Sequence, residues 1–234
     1  MNPTLYKAAL IDLDGTLVDS IPDLAMAANA MREELGMDEL PLDLLSHFVG
    51  KGMDNLIKRS LAGQLDAPEP DTQLFEQAKQ AFKRHYHQLN GVHSQVYPGV
   101  VAGLQRLQAM GLQLAVVTNK PHEFTLPLLE RTDLYKYFDV VVSGDTCPEK
   151  KPHPLPLFYA CQELDIHESE AFFIGDSLND AQAAQAAQMP VLILPYGYNE
   201  GRPVEDVQVN AIIDTIIEAS AWLVKQQPQD LTQD

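Results

Sequence analysis

Asp12-Leu13-Asp14-Gly15-Thr16-Leu17-Val18 follows directly on the apolar run Ala8-Ala9-Leu10-Ile11, and this junction decides the fold. The run is short and apolar, as a buried parallel strand is. Positions i and i+2 of a strand share a face, so Asp12 and Asp14 are expected to point the same way at its carboxyl end. Open parallel sheets place their ligands there. Two carboxylates that close repel each other unless a cation or a proton lies between them, so the pair asks for a metal. Asp-Gly-Thr is also ordinary turn chemistry, and acids after a strand often cap the next helix. The rest of the chain has to decide.

Working outward, strand-like runs recur at Leu112–Thr118, Val140–Ser143, Ala171–Ile174 and Val191–Leu194, each ending near Gly, Asp, Asn or Pro. Helical patterns lie between them. Val100, Val101, Leu104, Leu107 and Met110 fall at helical spacing, with Gly111 as a C-terminal cap. His122–Arg131 contains Pro127, which predicts a late start or a kink. Asn179–Gln188 is helical by propensity. Such alternation predicts an α/β fold, a Rossmann-like parallel sheet with helices on both faces. Residues 18–97 differ, with no convincing strand. Ser20-Ile21-Pro22-Asp23 has capping-box spacing, an apolar stripe runs from Ile21 through Leu24, Ala28 and Met31 to Leu35, and further helices start at Leu42, Met53 and Thr72. The expected organisation is a core of 1–17 and 98–226, an all-helical cap of 18–97 inserted after the first strand, and a flexible polar tail of 227–234.

Composition narrows the function. The 234 residues carry 33 acidic and 16 basic side chains, a net charge of −17, which argues against a nucleic-acid partner. An anionic substrate then needs local positive charge, from a bound divalent ion and one or two lysines. No apolar stretch approaches the roughly 18 residues of a membrane span, and the amino terminus lacks a signal-peptide layout, so the expectation is a cytoplasmic protein, monomer or homodimer, without membrane contact. Cys147 and Cys161 suggest no disulfide framework or ligand set. His85-Tyr86-His87 reads as helix surface, as do Lys58 and Arg59.

Three more segments fall at the ends of later strands: Thr118-Asn119-Lys120, with a hydroxyl and turn amides suited to phosphate; Glu149-Lys150-Lys151-Pro152, with a lysine held extended before proline; and Gly175-Asp176-Ser177-Leu178-Asn179-Asp180, with two acids four apart. Together with Asp12 and Asp14 this order of acids, hydroxyl, lysine and acids resembles the haloacid dehalogenase superfamily over nearly the whole chain. The resemblance implies Asp12 as a nucleophile forming an aspartyl-phosphate and Asp14 as general acid and then base. It implies Mg2+ held by Asp12, the backbone carbonyl of Asp14 and Asp176, with Asp180 orienting that shell. Lys151, Thr118 and the Asn119 amide would hold the phosphoryl oxygens. An aspartate at position 14 points to a phosphatase or phosphomutase of this superfamily rather than a dehalogenase.

Finer features resemble the bacterial phosphoglycolate phosphatases. They are the Asp12–Ser20 block, Thr118-Asn119-Lys120-Pro121, Gly144-Asp145-Thr146, Pro195-Tyr196-Gly197-Tyr198-Asn199, and the cap loop Val49-Gly50-Lys51-Gly52. In that loop Gly50 allows close backbone approach and Lys51 is the candidate partner of a small carboxylate. The implied substrate is a small phosphorylated metabolite, 2-phosphoglycolate first. Sugar phosphates or nucleotides, a phosphomutase activity of the β-phosphoglucomutase kind, and a non-catalytic binding relative are the alternatives.

Overall fold

The computed structural model describes residues 6–226, so the tail expected at 227–234 lies outside the described residues. The strands, in chain order, are β1 (Ala8–Ile11), β2 (Val18–Asp19), β3 (Gln95–Val96), β4 (Gln113–Val117), β5 (Val140–Val142), β6 (Ala171–Gly175), β7 (Val191–Ile193) and β8 (Ala211–Ile212). The helices are α1 (Ile21–Glu34), α2 (Leu42–Ser46), α3 (Met53–Ala62), α4 (Thr72–Leu89), α5 (Val100–Ala109), α6 (His122–Arg131), α7 (Leu155–Glu163), α8 (Leu178–Ala186) and α9 (Ile216–Gln226).

Six strands form one parallel sheet in the order β5-β4-β1-β6-β7-β8. The chain builds outward from β1 to β4 and β5, then returns to the other side of β1 for β6, β7 and β8. The reversal makes the carboxyl end of β1 a topological switch point, where neighbouring connections diverge and leave a crevice. Ile11 pairs with Val116 on one side and Ile174 on the other. Asp12, one residue on, therefore stands between the ends of β4 and β6.

The strands bury both faces with the two-residue period of a pleated sheet. Ala9, Ile11, Leu114, Val116, Phe172 and Ile174 face α5 and α9, whereas Ala8, Leu10, Ala115, Val117 and Phe173 face α7 and α8. A third cluster joins Leu24, Met31, Phe48, Ile57, Phe82 and Tyr86 of the helical segment to Phe124 of α6. Helices α1 to α4 thus have a core of their own, entered by Phe124 of α6 and flanked by Tyr198.

Several local expectations change. Segment 18–97 is bounded by a strand pair that the sequence reading missed: β2 and β3 are antiparallel, with Val18 opposite Val96 and Asp19 opposite Gln95. Two residues per strand are too few to leave a periodic signal, and β8 escaped for the same reason. Helix α6 begins at His122, ahead of Pro127, rather than late. The capping box expected of Ser20 and Asp23 does not form, because Ser20 makes no side-chain cap. Instead, the fully buried Asp23 carboxylate accepts hydrogen bonds from the backbone N–H groups of Gly91, His93 and Ser94 at 2.8–3.0 Å, and from the Ser94 hydroxyl. It pins the return of the chain from α4 to β3 against α1.

Asp23→Ala would remove the acceptor shared by these part-buried donors, and a donor left unpaired costs about 1–3 kcal/mol where water cannot replace the carboxylate. Urea unfolding of Asp23→Ala at pH 7 is expected to show a loss of about 2–4 kcal/mol, with Asp23→Asn retaining part of it. A loss below ~0.5 kcal/mol, the range of ordinary surface changes, would remove Asp23 from this role.

Candidate active site

Each acid or base picked out along the sequence at a strand end lies at the rim of the sheet. Asp12 and Asp14 follow β1, Thr118 follows β4, Lys151 lies in the loop after β5, and Asp176 and Asp180 follow β6. Lys151 Nζ lies 2.8 Å from Asp12 Oδ1 and 2.7 Å from Asp180 Oδ1. Asp12, Asp176 and Asp180 each offer a carboxylate oxygen, all within 4.8 Å of one another. Residues up to 168 positions apart in the chain, Asp12 and Asp180, thereby share one ammonium.

Burial sets the electrostatics. Desolvation, aided by the Asp180 charge and opposed by Lys151, pushes the Asp12 carboxyl up to about 7. Desolvation first, then the charges of Asp180 and Asp12, raise the Asp176 carboxyl well above the usual range. For Lys151, burial works to lower the ammonium, but Asp12 and Asp180 outweigh it and hold it above its ordinary value. Three ionised carboxylates and one lysine leave two negative charges uncompensated in a buried site. A divalent cation bound by oxygen ligands fits that donor set and that charge.

Asp176 is held rigidly. Its Oδ1 accepts from Thr16 Oγ1 at 2.8 Å and its Oδ2 from the Tyr198 backbone N–H at 2.5 Å. A Cβ on Gly15 or on Gly197 would lie 2.3 Å from Asp176 Oδ2, so only glycine lets these two loops close on the carboxylate. Asp180 is oriented from behind, its Oδ2 accepting from Ser177 N at 3.1 Å, Ser177 Oγ at 2.7 Å and Asp176 N at 3.2 Å.

Asp14 turns elsewhere. Its two oxygens meet Lys120 Nζ at 3.0 and 3.2 Å, and the same ammonium donates to the Tyr86 hydroxyl at 2.6 Å. Sequence reasoning missed both partners. Tyr86, placed on the helix surface by its flanking histidines, is buried in the helical cluster, and Lys120 is 5% exposed. The signal for Tyr86 was its place on the apolar stripe with Ala78 and Phe82 of α4. Arg59 is also buried rather than on the surface; it pairs with Glu200 at 2.6 Å.

Asp12, Asp14, Thr118, Asn119 and Lys120 line one cavity of about 40 Å3, closed on its far side by Leu24, Val49, Met53, Leu56, Phe82 and Phe124. Gly50 lies at its mouth, where its carbonyl accepts from Asn119 Nδ2 at 3.1 Å and Asn179 Nδ2 at 2.9 Å. The Asn119 side chain also donates to the Lys151 carbonyl at 2.9 Å, so it braces the loops instead of entering the cavity. Lys51, expected at the substrate, points to Glu200 at 2.8 Å and lines the neighbouring cleft with Tyr198 and Asn199. Glu200 lies 149 residues away, a partner that no local pattern reveals.

Known proteins show the same arrangement of sequence and fold. The chain is 50% identical over 223 residues to the phosphoglycolate phosphatase of Nitrosospira multiformis, spanning 95% of this chain and 98% of that one. It is 48% identical, with the same coverage, to the phosphoglycolate phosphatase of Thiobacillus denitrificans. The crystal structure of a predicted phosphoglycolate phosphatase from Haemophilus somnus 129pt superimposes with a TM-score of 0.86 at 33% identity, covering 94% of this chain and 98% of the other. The haloacid dehalogenase-like hydrolase family model matches residues 9–194, the stretch that runs from β1 past β7 and contains all the acids and lysines gathered at the rim. The chain belongs to the haloacid dehalogenase-like hydrolases.

Proposed function

We propose that this hydrolase is a Mg2+-dependent phosphomonoesterase that cleaves 2-phosphoglycolate to glycolate and phosphate. The observation that carries the reading is the buried Lys151 ammonium between Asp12 and Asp180, with Asp176 within carboxylate reach. In this reading an Asp12 oxygen attacks phosphorus while the ester P–O bond breaks, giving an aspartyl-phosphate. Asp14 gives its proton to the departing oxygen. It then takes a proton from the water whose oxygen attacks phosphorus, and the Asp12–phosphorus bond breaks to release phosphate. Lys151, the Thr118 hydroxyl and the Asn119 backbone amide hold the phosphoryl oxygens as charge builds on them. The carboxylates of Asp12 and Asp176 and the Asp14 carbonyl, with Asp180 behind, would hold a Mg2+ ion, whose charge would offset the repulsion between an anionic nucleophile and an anionic ester.

Residues 18–97 act here as a cap over a core of 1–17 and 98–226, with Gly50 drawn onto the rim by Asn119 and Asn179. Closure under the cap keeps bulk water from the reacting phosphorus. The size of the cavity favours a small leaving group. The cavity of about 40 Å3 is lined by Asp12, Thr118 and Asn119 as well as by the apolar wall, so phosphoryl group and leaving group share it and a hexose or a nucleoside is disfavoured. The names of the relatives at 50% and 48% identity favour the same substrate.

Asp12→Asn is expected to lower kcat by about 10^4-fold or more, the scale of losing a covalent nucleophile, with an unchanged circular dichroism spectrum. Phosphate release within tenfold of the native rate would overturn the nucleophile assignment. Mg2+ binding is expected to release protons near pH 6, because the Asp12 carboxyl at about 7 is mostly protonated there and binds metal only when ionised. Calorimetry in buffers of different ionisation enthalpy reads the release directly, and affinity should fall by about tenfold or more per pH unit below 7, because the raised Asp176 carboxyl must ionise as well. Binding without proton release would show that the acids are already ionised. A phosphate-release screen with Mg2+ should place kcat/KM for 2-phosphoglycolate above hexose phosphates and nucleoside monophosphates; the reverse order would reassign the substrate.

A further inference from the structure

We propose that Lys120 and Tyr86 form the subsite that reads the carboxylate of the substrate, an inference that rests on the substrate reading above. Among the described residues that line the cavity, Lys120 is the single cation. Beyond the catalytic rim the wall is apolar, with Leu24, Val49, Met53, Leu56, Phe82 and Phe124 beside two glycines and Pro121, none of which has a side chain able to hydrogen-bond an anion. A carboxylate carried into that space has Lys120 and Tyr86 as its side-chain donors, in a region of low dielectric where such contacts are strong.

The spacing fits. Lys120 Nζ stands 3.0 Å from Asp14 Oδ1, and Asp14 is the group assigned to the departing oxygen. In 2-phosphoglycolate a single methylene separates that oxygen from the carboxylate, which puts the nearest oxygens about 3 Å apart. An ester oxygen at Asp14 therefore sets the carboxylate beside Lys120. The ammonium has three donors, and two of its contacts fall on the oxygens of one carboxylate. One can pass to the substrate while the other keeps Asp14 paired. Tyr86 is arranged in the same sense. Because Lys120 donates to the phenolic oxygen at 2.6 Å and an ammonium cannot accept, the phenol's own proton is left for an acceptor in the cavity. The lysine is also fixed at its backbone, its carbonyl accepting from Gly144 N at 2.7 Å and Thr125 Oγ1 at 3.1 Å. Lys51, which the sequence placed in this role, is occupied by Glu200.

The test compares 2-phosphoglycolate with ethyl phosphate, in which a methyl group replaces the carboxylate, as the ratio of their kcat/KM values. The native enzyme is expected to favour 2-phosphoglycolate strongly. Lys120→Met should shrink the ratio by about 30-fold or more and Tyr86→Phe by about 3–10-fold, as expected for losing a charged and a neutral hydrogen bond. Independently of turnover, glycolate should raise the Tm of the native protein and fail to raise that of Lys120→Met. Should Lys120→Met not fold, Tyr86→Phe decides through the same two readouts. Equal losses on both substrates, with the ratio preserved and the glycolate shift intact, would overturn the inference alone and leave Lys120 as a prop for Asp14. A native ratio near one would overturn the substrate reading, and the inference with it.

Discussion

One buried ammonium organises this molecule's chemistry. Lys151, 4% exposed, stands between Asp12 and Asp180, with the Phe173 ring 5.0 Å below it. Buried ion pairs contribute little net stability, because desolvation offsets most of the Coulomb gain, yet removing one partner costs about 3–5 kcal/mol. Lys151 therefore acts on geometry more than on overall stability. Its loop leaves the outer strand pair of β4 and β5 and returns to the centre, where β1 and β6 present their acids. The Asn119 side chain, donating to the Lys151 carbonyl, secures that return. With Lys151 in place the three carboxylates can sit within 4.8 Å of one another, and their residual charge specifies what else belongs there.

The helical segment is tied to this arrangement at three points, and each tie ends on a residue of the rim. Gly50 accepts from Asn119, which holds Lys151. Tyr86 accepts from Lys120, which holds Asp14. The Tyr198 hydroxyl donates to Asp19 Oδ1 at 2.5 Å and accepts from the Ser20 N–H at 2.9 Å, while its own backbone N–H binds Asp176. A displacement of helices α1 to α4 would accordingly be felt by Lys151, Asp14 and Asp176 together. The side chains of Asn119, Lys120 and Tyr198 are short or ring-stiffened at their contacts, or fully packed, so little slack absorbs such a movement. Coupling between cover and chemistry is thus built from ordinary hydrogen bonds.

What the sequence disclosed follows from where the information lies. The acids after β1 and β6 and Thr118 were legible because they follow closely on apolar runs, Lys151 because it precedes a proline in the loop after β5, and parallel topology carries all strand ends of one sense to one rim. The parallel sheet and the starts of α2, α3 and α4 were legible from periodicity. Lys120, Tyr86 and Arg59 were not, because their partners stand 106, 34 and 141 residues away in sequence. A tyrosine between two histidines looks solvated until the rotation of α4 is known. Ser20 failed as a cap for a related reason: the acid three residues on was recruited by Gly91, His93 and Ser94 from the far side of the segment. Local rules hold until a distant donor offers the same atom a better-buried bond.

The charge of the chain poses a problem that the site answers locally. A protein of net charge −17 is an awkward host for the anionic ester proposed as its substrate. Surface acids, however, act through water and salt, and beyond about 8 Å at physiological ionic strength they are largely screened. Groups inside the cavity are not. Of the described lysines, the two that are buried, Lys120 and Lys151, both lie at this rim, one beside each of the two carboxylates that follow β1. Each lysine offsets the acid it touches, and the two negative charges that remain with Asp176 and Asp180 are what a divalent cation would offset. The bulk acidity then governs solubility and the exclusion of polyanions, while in the proposed reading the two buried ammonium groups supply the positive charge that a small anion meets.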